Sequence, residues 1–169
     1  MTYNNILVPY DNSKPSETAL AHAIKIAKMS SISSSSSANQ PVNITLLHIV
    51  QDSPAPATFG SGRFKSKKTG DMLSLEQYLR EISTEIEIDA KKMLKEKIMK
   101  IESNGFTLHS KVLHASNPAK EILKFSQSEK IDLIVMGSVG LTGILKIKIL
   151  GSVSRNVLEN AKCPVLIVH

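Results

Sequence analysis

Residues 132–154 read DLIVMGSVGLTGILKIKILGSVS, and the fold follows from where that stretch breaks. After Asp132 come Leu133, Ile134, Val135 and Met136, an unbroken apolar run of the kind that forms a strand buried on both faces. Glycines at 137, 140 and 143 then interrupt it, and Gly151-Ser152 opens a helix. A buried strand that passes through a glycine loop into a helix is one βα unit of a parallel sheet.

The same alternation extends to both ends of the chain. Residues 5–10 (NILVPY) form a first strand that ends in the turn Asp11-Asn12-Ser13. Ser13 is placed to cap a helix with Pro15 in its first turn, and Ala19, Leu20, Ala23, Ile24 and Ala27 recur on one face of it. That helix is expected to stop near Met29. Residues 30–40 (SSISSSSSANQ) are too polar to bury surface and are expected to form a flexible loop. A second strand follows at 43–50 (NITLLHIV). Residues 51–73 carry prolines, glycines and the basic run RFKSKK at 63–68, and are expected to be a long mobile loop. Residues 74–103 hold an apolar helical stripe that Asn104-Gly105 would end. Residues 106–113 alternate as an edge strand does. Asn117-Pro118 opens a third helix, and Pro164-Val165-Leu166-Ile167-Val168 is the last strand. The order β-α-β-α-β-α-β-α-β predicts one α/β domain over residues 1–169, with a parallel sheet covered by helices on both faces.

Composition narrows the function. A chain of 169 residues with 41% hydrophobic and 21% charged residues is an ordinary globular domain. With no Trp, three Tyr and four Phe it lacks the aromatic platforms that single-stranded nucleic acid needs, so nucleic acid is not expected as a partner. The net charge of +6 is spread along the chain, with clusters at 63–68 and 91–100 that read as solvated surface. One cysteine, Cys163, excludes an internal disulfide and any CxxC motif. No run of eighteen apolar residues occurs and the N-terminal stretch MTYNNILVPYD lacks a basic n-region, so a cytoplasmic protein without a membrane span is expected.

Ligands of open parallel sheets sit beyond the C-terminal strand ends, where the strand order reverses. Three segments should meet there: Pro9-Tyr10-Asp11, His48-Ile49-Val50, and the stretch from Met136-Gly137 onward. Glycines 137, 140, 143 and 151 let the backbone approach a ligand, and the helix start at Ser152 favours an anion, with the Ser152 and Ser154 hydroxyls as further donors. The same glycines could simply shape a βα turn. A Walker A string is absent, and no GxGxxG follows the first strand. Asp11 can accept hydrogen bonds from a ribose or close an Asx turn into the helix cap; the two are compatible. His48, inside an apolar run, reads as a satisfied histidine, and the histidines show no metal spacing.

The run Ile6-Leu7-Val8-Pro9-Tyr10-Asp11-Asn12-Ser13, the run Leu46-Leu47-His48-Ile49 and the stretch from Ile134 to His169 together resemble the universal stress protein family. The resemblance implies a five-stranded parallel sheet in the order 3-2-1-4-5 and a homodimer through the last strand. One branch of that family binds ATP through G-x2-G-x9-G-[ST]. Gly137-x2-Gly140 and Gly151-Ser152 match its two ends, with ten residues between Gly140 and Gly151 in place of nine. By resemblance Pro9, Tyr10, Asp11 and Ile49 would meet adenine and ribose. Met136, Gly137, Gly140, Gly143, Gly151, Ser152, Val153 and Ser154 would surround the phosphates of ATP, ADP or AMP, with Mg2+ as a companion ion. The expected function is a nucleotide-dependent sensor or adaptor in stress response, with hydrolysis slow at most because no catalytic base is identifiable. The alternatives are a nucleotide-independent interaction or chaperone-like module using the basic loop, and an adenylating or hydrolysing enzyme.

Overall fold

A computed structural model describes residues 3–33, 41–51, 62–139 and 150–169. In chain order the elements are β1 (Asn5–Pro9), α1 (Lys14–Ser33), β2 (Val42–Gln51), β3 (Phe64–Lys65), β4 (Met72–Leu73), α2 (Leu75–Met99), β5 (Phe106–Ala115), α3 (Pro118–Ser128), β6 (Leu133–Gly137), α4 (Ser152–Asn160) and β7 (Val165–Val168). The five longer strands form one parallel sheet in the order β5-β2-β1-β6-β7, which is 3-2-1-4-5 in their own sequence order. The strand order reverses between β1 and β6, where Ile6 pairs with Leu133.

Alternation along the strands sorts their side chains into two cores. Ile6, Val8, Ile44, Leu46 and Val135 face Ala19, Leu20, Ala23 and Ala27 of α1 and Leu94 of α2. Leu7, Leu47, Ile134 and Met136 face Ala119 and Ile122 of α3 and Val157 of α4. Burying each large side chain stabilises the fold by roughly 1.5–3 kcal/mol. At the base of the sheet the Asp132 carboxylate accepts the Asn4 and Asn5 amides at 2.8 and 3.1 Å, which sets β1 against β6.

Local signals define the helix starts. Ser13 Oγ accepts the Ser16 amide at 3.3 Å as the cap of α1. Ser74 and Gln77 form a reciprocal capping box on α2. Asn117 caps α3, with Pro118 as its first residue. The ends differ from expectation. α1 continues past Met29 to Ser33, because serine is only a modestly poorer helix former than the straight-chain residues and Ser30 extends the buried face. α2 stops at Met99, and the positive φ of 84° falls at Gly105 beyond it. Residues 62–73 are not a loose loop: β3 and β4 pair as a hairpin whose turn is bonded to Glu81 of α2.

One polar chain links β1, α1 and α2. The buried Tyr10 hydroxyl donates to the Glu17 carboxylate, which also accepts from Lys97. Burial pushes the Tyr10 phenol well above its ordinary range, with Glu17 adding to the effect. Burial works against the charge on Glu17, yet the hydrogen bonds from Lys97 and Tyr10 prevail and hold its carboxyl below 4.5. A depressed carboxyl stabilises the fold above its unfolded value and loses that contribution as pH falls through the folded one. The gap in urea midpoint between wild type and Glu17→Gln should therefore be full above pH 4.5 and narrow as the pH is lowered further. Parallel pH profiles would show that the charge on Glu17 contributes nothing to stability.

Candidate functional site

From the reversal point the chain leaves β1 and β6 toward opposite faces, α1 on one side and α4 on the other, and a crevice opens between them. It holds a cavity of about 480 Å³, within the span of small-molecule sites of about 300–1,000 Å³. Pro9, Tyr10, Asp11, Ile49, Met136, Gly137, Gly151, Ser152, Val153 and Ser154 all line it. Gly140 and Gly143, expected in the same site, lie outside the described residues.

Ser13, Ser16, Leu47, His48, Val139, Pro118 and Ile122 complete the lining. Ser13 was legible as a helix cap; that cap, with Ser16 in the first turn behind it, lies at the reversal point. Pro118 and Ile122 carry no signal of their own, since only the crossover to α3 brings them to the crevice.

Two glycines serve different ends. A Cβ on Gly137 would lie 2.6 Å from Pro15 Cβ and 3.0 Å from the Pro15 carbonyl carbon, so the contact between β6 and α1 requires glycine. A Cβ on Gly151 would meet Ser138 O at 3.4 Å and Ser154 Oγ at 3.5 Å, close to ordinary contact, at a φ of −61°. The surrounding protein does not itself demand glycine at 151.

Hydrogen bonds decide which groups are available to a ligand. The Ser154 hydroxyl, expected as a donor to an anion, is buried and donates to Ser138 O at 2.6 Å, and the Gly151 amide donates to the same oxygen at 2.8 Å. One hydroxyl carries one proton, so Ser154 fastens the loop and adds no donor to the cavity. Tyr10 lines the cavity, yet its ring lies in the core, its amide donates to Leu47 O and its carbonyl accepts from His48 Nδ1 at 2.8 Å. A carbonyl only accepts, so the His48 proton sits on Nδ1. The Asp11 carboxylate accepts the Ser13 amide at 3.0 Å and closes the Asx turn. The amides of Ser152, Val153 and Ser154 have no intrahelical acceptor at the start of α4, and the N-cap residue Gly151 has no side chain to cap them. Aligned with the helix dipole, they favour a negative group at that end of the cavity. Among the described residues no cluster of three or more His, Cys, Asp or Glu side chains is gathered for a metal ion, and no helix is long and apolar enough to cross a membrane.

The fold and crevice define an open α/β protein with a cavity at the reversal of the sheet. Residues 2–169 match the universal stress protein family, and the chain belongs to it. It is 34% identical to a universal stress protein of Methanocaldococcus jannaschii over 166 residues, covering 98% of this chain and 82% of that one. It is 31% identical to the universal stress protein YxiE of Bacillus subtilis, covering 99% of both chains. Among solved structures, universal stress protein UspA from Lactobacillus plantarum superposes with a TM-score of 0.76 at 23% identity, covering 100% of this chain and 99% of the other. Two more distant folds were solved with nucleotides. One is a universal stress protein in complex with cAMP (TM-score 0.62, 21% identity, covering 100% and 98%). The other is a family member from Arabidopsis thaliana with AMP bound (TM-score 0.55, 16% identity, covering 98% and 90%).

The two glycines are separable by experiment. Gly137→Ala should lower the free energy of unfolding by about 1–3 kcal/mol through overpacking against Pro15. Gly151→Ala should cost less than about 1 kcal/mol, the scale of a helix-cap exchange. Equal losses in urea unfolding would contradict the distinction.

Proposed function

We propose that this chain binds an adenine nucleotide in the cavity between β1 and β6 and acts as a nucleotide-dependent sensor or adaptor in stress response. The observation that carries this reading is the pairing, in one cavity, of apolar walls with the uncapped first turn of α4. Leu47, Ile49, Ile122 and Met136 offer a slot for the purine, and Asp11 faces the position of a ribose. The amides of Ser152, Val153 and Ser154, with the Ser152 hydroxyl, take the phosphates. Gly137, Gly140 and Gly143 belong to this reading as backbone that a phosphate can approach. The relatives solved with cAMP and AMP support adenine as the base. Mg2+ enters only with the phosphates, with Asp11 as the carboxylate in the lining. In this reading the protein binds ATP and hydrolyses it slowly at most.

Nucleotide released on denaturing the purified protein should be ATP, ADP or AMP, and calorimetric titration should show a single saturable site. Ser152→Asp tests the phosphate end. A carboxylate suits the first turn of a helix, so the fold is retained, while its charge repels phosphate. The affinity for ATP should fall by about tenfold or more, the scale of one lost charge-assisted hydrogen bond. Unchanged affinity in a variant with unchanged melting would place the phosphates elsewhere.

The same reading includes a homodimer through β7. That strand ends the sheet, and Leu166 on it and Leu158 on α4 are exposed at 36% and 45%. An apolar edge of this kind is a template for a second copy. Sedimentation should show a dimer at micromolar concentration and a monomer for Leu166→Lys; a monomeric wild type would remove this part of the proposal.

A further inference from the structure

The hairpin of β3 and β4 has an architecture that the nucleotide site does not explain. Phe64 turns inward and stacks on Tyr78 of α2, with ring centroids 5.1 Å apart. The buried Ser66 hydroxyl donates to Glu81 Oε2 at 2.8 Å, while the Lys67 and Lys68 amides donate to Glu81 Oε1 at 3.1 and 3.3 Å. Ser66 Oγ in turn accepts the amides of Lys68 and Thr69, each at 3.1 Å. The nearby carboxylate is thus engaged by the main chain and not by the lysine side chains. Arg63, Lys65, Lys67 and Lys68 are exposed and have no acidic partner among the described residues. Arg63 and Lys65 flank the inward Phe64, so they project outward, about 7 Å apart for an extended strand. Lys65 pairs across the hairpin with Met72, which is 56% exposed on the same face.

We infer that this hairpin is a docking surface for an extended acidic segment of a partner protein. Acidic side chains on alternate residues of such a segment share one face and repeat at the spacing of Arg63 and Lys65, and an apolar residue on that same face meets Met72. A nucleic acid fits less well. Among the described residues the two rings of the hairpin region are stacked on each other, and a phosphodiester backbone makes no use of the thioether beside Lys65. The inference is independent of the nucleotide reading, since no hairpin residue lines the cavity.

The test is fluorescence anisotropy of a short labelled peptide with glutamates and one leucine at alternate positions and serines between them. A peptide with lysines in place of the glutamates and a DNA duplex serve as controls. The acidic peptide should bind saturably and weaken with salt, and Lys65→Gln/Lys67→Gln/Lys68→Gln should lower its affinity about tenfold, on the scale of three exposed ion pairs. Glu81→Ala removes a negative charge but opens the clasp. An ordered surface then binds the peptide more weakly, whereas mere net charge would bind it more tightly. The inference is overturned if the acidic peptide does not bind at low salt, if the triple variant binds it equally well, if Glu81→Ala tightens binding, or if the duplex binds in preference to the peptide.

Discussion

The contact between Gly137 and the first turn of α1 is the constraint around which the rest of the molecule is arranged. β1 and β6 lie side by side, yet the chain leaves them toward opposite faces, and α1 must start directly above the end of β6. With Pro15 Cβ only 2.6 Å from where a side chain would begin, that approach is available to glycine alone. Moving α1 outward would withdraw Ala19, Leu20, Ala23 and Ala27 from the core and shift the Asp11-Asn12-Ser13 turn that joins β1 to the helix. The cavity is the space left by this divergence, and its position follows from the sheet order.

Around that space, the requirement that buried polar groups be hydrogen-bonded sorts the lining into scaffold and available groups. Ser154 and the Gly151 amide both serve Ser138 O, fastening the start of α4 to the end of β6. Tyr10 is held on all sides: its amide by Leu47, its carbonyl by His48 and its hydroxyl by Glu17. These residues frame the cavity. Among the described residues the first turn of α4 has no side-chain cap, so the electrostatic character of the cavity comes from backbone and dipole more than from charged side chains. The hairpin of β3 and β4 is the converse case, with main-chain amides satisfied by Glu81 and cationic side chains left outward. One protein thus carries two regions of positive electrostatic character, one built from backbone and one from side chains.

Much of this was legible in the residues themselves. Apolar runs such as LIVM before Gly137 and ILV before Pro9 announce strands buried on both faces, because period and composition are local properties. Ser13, Ser74 and Asn117 mark helix starts for the same reason, since a cap acts within three residues of itself. The alternation of strands and helices, with the resemblance of three motifs to one family, gave the sheet order and the segments that converge on the cavity. Helix ends were less legible. Serine is compatible with both loop and helix, and only burial against the core drew the last turn of α1 into order through Ser30.

Everything that depends on a distant partner was decided by the tertiary structure. The sequence by itself determined that Ser154 stands near the start of a helix, but whether its hydroxyl faces a ligand or Ser138 O depends on how α4 docks on β6. It placed Tyr10 beside Asp11, but Glu17, the partner of Tyr10, meets Lys97 only when two helices pack on one face of the sheet. It showed RFKSKK as a basic run, but the order of that run comes from Glu81 and Tyr78, met only when the hairpin lies on α2. Strands, caps and turns follow from interactions a few residues long and can be read along the chain. The direction of a hydroxyl or the company of a carboxylate is set by contacts between remote segments, which exist only after the sheet and its helices have closed around the core.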